Sequence, residues 1–212
     1  MLLTAKILLA IAAAVAGAIG GSRWIARLYQ QSTEILSFPH EVQKQNRQRK
    51  RYLPAALGVL FAFYLLSAGT GVLSICLNLF YIFFLVIFTV TDFEQQVIFD
   101  KMLLPFALLG VVAAIIGEAG LISHLLAALG GGVLFLLLAI LTRGGIGGGD
   151  IKLVAALGLW LGVSSLSHVV VVGFIGGGIG ALIMMLFCHK KRTDTFAYGP
   201  YFTIAALLML LL

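Results

Sequence analysis

The chain has 212 residues, 61% of them hydrophobic and only 10% charged, with a net charge of +6 and a mean hydropathy of +1.11. A soluble domain carries about 25% charged residues, so the long unbroken apolar runs seen here exclude a water-soluble core protein and make lipid the solvent for most of the surface. The positive charge sits at the ends of those runs, where it is a topology signal rather than a nucleic-acid footprint, and no nucleic-acid partner is expected.

In chain order, the runs predict eight helices, over 2–20, 53–68, 72–91, 102–117, 120–141, 152–164, 167–188 and 199–212. Each is measured against the roughly 17–25 residues that a span needs. The second, fourth, sixth and eighth are short, and small tilt, neighbouring residues or a thinned bilayer would accommodate them. The first run, with Lys6 ahead of an Ala-rich stretch, has the outline of a secretory signal but is read as a retained span. The expected organisation is a first helix with a short basic loop over 1–52, followed by a membrane-embedded core over 53–212.

The cations divide by interval. Arg23, Arg27 and the group from Lys44 to Arg51 separate the first two expected spans; Lys101, then Arg143 with Lys152, then Lys190, Lys191 and Arg192 follow in alternate intervals. The stretches 69–71, 117–120 and 164–167 hold no Lys or Arg. Lys and Arg are retained on the cytoplasmic side, so the pattern predicts an all-α polytopic protein with an even number of spans and its N-terminus outside. Lys6 is the exception, and snorkelling accounts for it. The cluster Asn46-Arg47-Gln48-Arg49-Lys50-Arg51 reads as a topogenic anchor that touches anionic membrane lipids, ahead of a docking patch for an acidic protein. Cys76 and Cys188 match no metal or disulfide spacing and read as packing residues.

Of eight acidic residues, Glu34, Glu41, Glu118 and Asp194 read as solvated charges, whereas Asp92, Glu94, Asp100 and Asp150 fall at helix ends expected on the cytoplasmic side. Asp92 terminates the apolar run from Phe80 to Thr91, and a carboxylate at that depth is costly unless paired, hydrated or protonated. Asp150 follows Gly144-Gly145-Ile146-Gly147-Gly148-Gly149, where missing side chains would let another backbone approach. If the two carboxylates meet, repulsion keeps one protonated while the other ionises. One can then take a proton from water while its partner polarises a scissile carbonyl, which is peptide hydrolysis without a metal. On spacing alone, hydrated helix-end residues, with Asp150 favoured by the helix dipole, and a transporter's proton relay remain equal alternatives.

The segment Gly147-Gly148-Gly149-Asp150-Ile151-Lys152-Leu153 resembles the GxGD motif of the type IV prepilin peptidases, which are membrane aspartyl proteases. The stretch Asp92-Phe93-Glu94-Gln95-Gln96-Val97-Ile98-Phe99-Asp100 is similar to that family's first catalytic region. Gly20-Gly21-Ser22 with Ile25-Ala26-Arg27-Leu28, Arg51-Tyr52, and Ala197-Tyr198-Gly199-Pro200-Tyr201 extend the resemblance over nearly the whole chain. It implies Asp92 and Asp150 as the catalytic pair, no cofactor, and a prepilin or pseudopilin substrate. The short basic leader of such a substrate is cut at the cytoplasmic face of the inner membrane, in the service of pili or secretion. The topology derived from charge puts both aspartates on that side.

Two features depart from the family's pattern. Ser22–Tyr52 contains no cysteine, whereas many members carry paired CxxC motifs there, associated with zinc and N-methylation; a peptidase without a metal site is expected, and methyl transfer is not. Phe99 stands where the family often has Pro, which weakens a strict role for Asp100. Among supporting residues, Gly147 and Gly149 would admit substrate backbone. Lys152 would snorkel or lower a carboxylate pKa, and Glu94 and Asp100 would hold the basic leader or be solvated. His124 and His168 read as packing or interfacial residues, while His40 and His189 form no ligand set. Gly173 with Gly177, and Gly176 with Gly180, have the spacing that permits close helix contact.

The rival classes are a presenilin-like intramembrane protease, whose first Asp usually follows Tyr rather than a residue such as Thr91, and a proton-coupled transporter. The transporter would need polar residues deeper in several spans or an inverted repeat. A pure assembly scaffold would tolerate loss of both aspartates.

Overall fold

The computed structural model describes residues 2–67, 71–117, 120–143, 145–187 and 197–211. Glu118, Cys188, His189, Lys190, Lys191, Arg192 and Asp194, all weighed above, lie outside them. The described residues form seven α-helices: α1 (Leu2–Gln31), α2 (Val42–Ser67), α3 (Val72–Gln95), α4 (Asp100–Ile116), α5 (Leu121–Leu141), α6 (Gly148–Phe187) and α7 (Gly199–Leu211). Two single 3-10 turns, Thr33–Ile35 and Pro39–Glu41, lie between α1 and α2. Four stretches, Lys6–Gln31, Val72–Gln95, Leu121–Leu141 and Gly148–Met184, are long and apolar enough to cross a membrane. Helices satisfy every backbone polar group internally, which lipid requires of a spanning segment. The chain is thus an all-α integral membrane protein.

It divides into two compact units, one running through Val97 and the other from Ile98 to Leu210. In the first, α1 packs along α2 and α3. Its core holds Ile25, Leu53, Leu57, Leu85 and Phe88, with Trp24 edge-on to Phe84 at 6.1 Å between ring centroids. Helix α1 continues to Gln31, well past the expected end at residue 20. Gly20-Gly21 does not stop it, because Gly21 is an approach point: a Cβ there would lie 3.0 Å from the Phe83 ring. Helix α2 likewise starts at Val42 rather than at residue 53, and its buried stripe, Gln45, Arg49, Leu53, Leu57 and Phe61, advances by four. That is the spacing of one helical face.

In the second unit, α6 packs against α4 and α5, and glycine sets the approach. A Cβ on Gly158 would come within 2.5–2.6 Å of the α5 backbone at Ala127 and Ala128, and one on Gly110 would meet the Trp160 ring at 2.8 Å. Phe135, Phe174 and Phe202 form a cluster with centroids 5.1–5.4 Å apart. Gly173, Gly176, Gly177 and Gly180 face Phe202, Tyr201 and Tyr198 of the α7 region, so the spacing noted in the sequence accommodates aromatic rings.

The expected helices 152–164 and 167–188 are replaced by the single stretch α6, broken at Gly162 (φ 70°, ψ 179°). The predicted loop at 164–167 is helical. Its serines bond within the helix, Ser167 Oγ donating to the Ser164 carbonyl at 2.6 Å, while only glycine takes the Gly162 backbone without strain. Groups freed at the break are met from α5. The Val163 N–H donates to Ser123 Oγ at 3.3 Å, and His124 Nδ1 lies 2.9 Å from the Leu159 carbonyl. His124, expected to be a packing or interfacial residue, caps a helix end. The 37 residues of Gly148–Met184 would extend about 55 Å if straight, well beyond a hydrocarbon layer of about 30 Å; the break divides that length.

Candidate active site

Asp92 lies in the last turn of α3 and is 5% exposed. The helix ends there because Gln96 adopts the left-handed conformation (φ 53°, ψ 38°), its N–H donating to the Asp92 carbonyl at 2.8 Å. Left-handed backbone is unfavourable for a residue with a Cβ, so surrounding bonds must hold this turn, and they are dense. Gln95, fully buried, donates through Nε2 to the Phe38 carbonyl at 2.9 Å and to Gln45 Oε1 at 2.6 Å. Its Oε1 accepts the Phe38 N–H at 2.8 Å. Gln45 Nε2 donates to the Glu94 carbonyl at 2.8 Å.

Glu94 is the centre of this region. Its Oε1 accepts from Arg49 Nε at 3.1 Å and from the Tyr52 hydroxyl at 2.8 Å. Its Oε2 accepts from the Tyr29 hydroxyl at 3.0 Å and from Arg49 Nη2. Arg49 is 0% exposed and lies over the Tyr29 ring, 5.1 Å from its centroid. Arg49, counted above among the topogenic cations, is therefore an internal partner. The sequence reading missed it, together with Tyr29, Gln45 and Gln95. The available signal was helical spacing: residues 45, 49 and 52 share a face once α2 is known to begin at Val42.

Asp150 sits in the first turn of α6 and is 8% exposed. Its N–H donates to the Gly147 carbonyl at 3.0 Å, and the helix N-terminus favours its negative charge. The glycines around it divide in role. A Cβ on Gly149 would lie 3.2 Å from Ile98 Cβ, which makes Gly149 a packing position. A Cβ on Gly147 would lie 3.4 Å from Asp150 Oδ2, so no side chain stands on that face of the carboxylate, where the Gly147 backbone hydrogen-bonds it. A Cβ on Gly148 would meet no other part of the described chain within 4 Å.

Asp100 opens α4, and Lys152 Nζ donates to both its carboxylate oxygens at 2.7 and 2.8 Å. The two side chains are 72% and 58% exposed. Phe99 is extended (φ −80°, ψ 131°), a φ that the Pro common in the family would also adopt, and its buried ring anchors the start of α4. A zinc site does not fit the α1–α2 connection, where His40 is the only His or Cys. Among the described residues no group of three or more His, Cys, Asp or Glu is placed to hold a metal ion.

A polytopic helical membrane protein with one buried aspartate closing an apolar helix and another opening a glycine-led one is the class these features define. The sequence profile of the type IV leader peptidase family matches residues 79–212, which include both aspartates, and the chain belongs to that family. It is 37% identical over 128 residues to a prepilin leader peptidase/N-methyltransferase of Neisseria gonorrhoeae, covering 58% of this chain and 43% of the relative. It is 31% identical over 151 residues to the protein of that name from Escherichia coli K12 (68% and 66%), and 30% identical over 165 residues to that of Aeromonas salmonicida (75% and 55%). The chain thus spans between 43% and 66% of the length of these relatives. No solved structure matches it.

Proposed function

We propose that this chain is a membrane aspartyl endopeptidase that removes the short basic leader of type IV prepilins or pseudopilins at the cytoplasmic face of the inner membrane. Asp92 and Asp150 are its dyad. The observation that carries this reading is the burial of both carboxylates at helix ends inside the segment matching the family. The alternation of basic and uncharged intervals supports eight spans, with the N-terminus outside and both aspartates facing the cytoplasm.

In the proposed mechanism the two carboxylates share one proton, because like charges at close range cannot both ionise. The ionised member removes a proton from the attacking water and the protonated member donates a hydrogen bond to the scissile carbonyl. The missing side chain at Gly147 leaves room beside Asp150 Oδ2 for the substrate backbone. Burial excludes bulk water and strengthens each of these interactions. The α1–α2 connection holds one His and no Cys, and the proposal extends to peptidase chemistry alone.

The test is co-expression with a prepilin, cleavage being read as a gel shift. Asp92→Asn and Asp150→Asn are each expected to abolish processing while membrane insertion stays intact. Full cleavage by either variant removes that residue from the dyad.

A further inference from the structure

We infer that Glu94 and Arg49 act as a positioning lock that holds the last turn of α3 so that Asp92 keeps one geometry. The inference rests on the reading of Asp92 as catalytic. A helix end leaves carbonyls without intrahelical partners and is the first part to fray, and the catalytic carboxylate would sit on such an end. Four donor bonds from Tyr29, Arg49 and Tyr52 converge on the Glu94 carboxylate, two residues after Asp92. They tie the turn to α1 and α2 at once. Gln95 stitches the same turn to the Phe38 backbone, and Gln45 of α2 holds it through Gln95 and the Glu94 carbonyl.

The chemistry of the donors fits this role better than it fits leader capture. Arg presents a planar fork that fixes both distance and orientation of a carboxylate, and Arg49 is wholly buried beneath the Tyr29 ring. Tyr52 completes the set from the more exposed side. With both oxygens of Glu94 already accepting two donors each, little acceptor capacity is left for a substrate lysine or arginine. A buried ion pair of this kind is weak evidence for stability, but it restricts geometry, and a displacement of about 1 Å at a catalytic group can cost about 100-fold in rate.

The experiment measures kcat, KM and the pH profile of prepilin cleavage for the full chain in detergent or proteoliposomes. Because Glu94→Ala alone would strand the Arg49 charge and can fail to fold, the deciding variant is the double substitution Arg49→Met with Glu94→Met, which removes both charges and keeps side-chain volume. It is expected to accumulate and insert like the parent, yet to lose about 10- to 100-fold in kcat with KM within about 3-fold and with a shifted pH profile. Glu94→Gln, which keeps the shape and one acceptor, is expected to recover part of that loss. Wild-type kcat in the double variant overturns the lock. So does a rise in KM at unchanged kcat that vanishes for leaders lacking basic residues, since that would make Glu94 a substrate contact. Asp92→Asn, measured alongside, separates the two readings: if it cleaves normally, it is the dyad that fails.

Discussion

The end of α3 and the start of α6 each present a buried aspartate, but they are built by opposite means. Around Asp92 the chain spends side chains: Tyr29, Gln45, Arg49, Tyr52, Glu94 and Gln95 converge from three helices. Around Asp150 it removes them, leaving glycines at 147, 148 and 149 and a backbone bond to the Gly147 carbonyl. The charged pair of the second unit, Asp100 with Lys152, is exposed, whereas Arg49 is fully buried and the Glu94 side chain is only 10% exposed. The helix end that carries Asp92 is thus tied down by a polar network, and the one that carries Asp150 is built on close backbone approach. The first arrangement is rigid and costly to break. The second is open on one side, which suits the place where a substrate chain would lie.

The comparison is broken most forcefully at Arg49. Arg49→Met alone leaves the Glu94 carboxylate buried without its cation, and removing one partner of a buried pair costs about 3–5 kcal/mol. A large drop in thermal stability of the detergent-solubilised protein is expected. A variant as stable as the parent would mean that solvent reaches Glu94.

Next in size is Gly149→Val. The first added carbon already lies 3.2 Å from Ile98 Cβ, and the branched methyls add further overlap. Overpacking of this kind costs about 1–3 kcal/mol, and the loss should appear as lowered thermal stability accompanied by reduced cleavage. Gly147→Ala sharpens the contrast, because its added carbon meets only the Asp150 carboxylate, at ordinary contact distance. Stability is expected to change little, while kcat/KM falls about 10-fold, equivalent to about 1.4 kcal/mol of transition-state binding. Equal effects of the two substitutions would show that the glycines have one common role.

These differences also explain what could be read from the residues alone. The apolar run ending in Asp92 and the glycine row before Asp150 are local patterns, and each places its aspartate at a helix end without reference to any other part of the chain. The break expected at 164–167 lies instead at Gly162: serines inside an apolar helix bond to preceding carbonyls, and the true break is secured by Ser123 and His124 of α5. Arg49 was taken for one cation among several because nothing local marks it as buried. Its burial depends on Glu94, 45 residues away, and on a start to α2 that lies 11 residues ahead of its apolar run. The early end assigned to α1 has a similar cause: Gly21 is a helix breaker by propensity and an approach point by packing.

The smallest effect belongs to the exposed pair, and it completes the comparison. Lys152 Nζ contacts both oxygens of Asp100 in good geometry, the same kind of charge pairing as Arg49 with Glu94. Both side chains are exposed, however, and an exposed pair contributes about 0–1 kcal/mol. Lys152→Met is therefore expected to lower stability by less than about 1 kcal/mol, with an effect that shrinks as salt is raised through about 0.15–1 M, where the screening length falls from about 8 to 3 Å. The matched substitution at Arg49 is expected to be far larger and nearly salt-independent, because buried pairs are screened much less. Thermal unfolding of the two methionine variants over that salt range tests the distinction directly: similar losses with similar salt dependence would mean that both pairs experience the same solvent, and the contrast between a locked helix end and an open one would not hold.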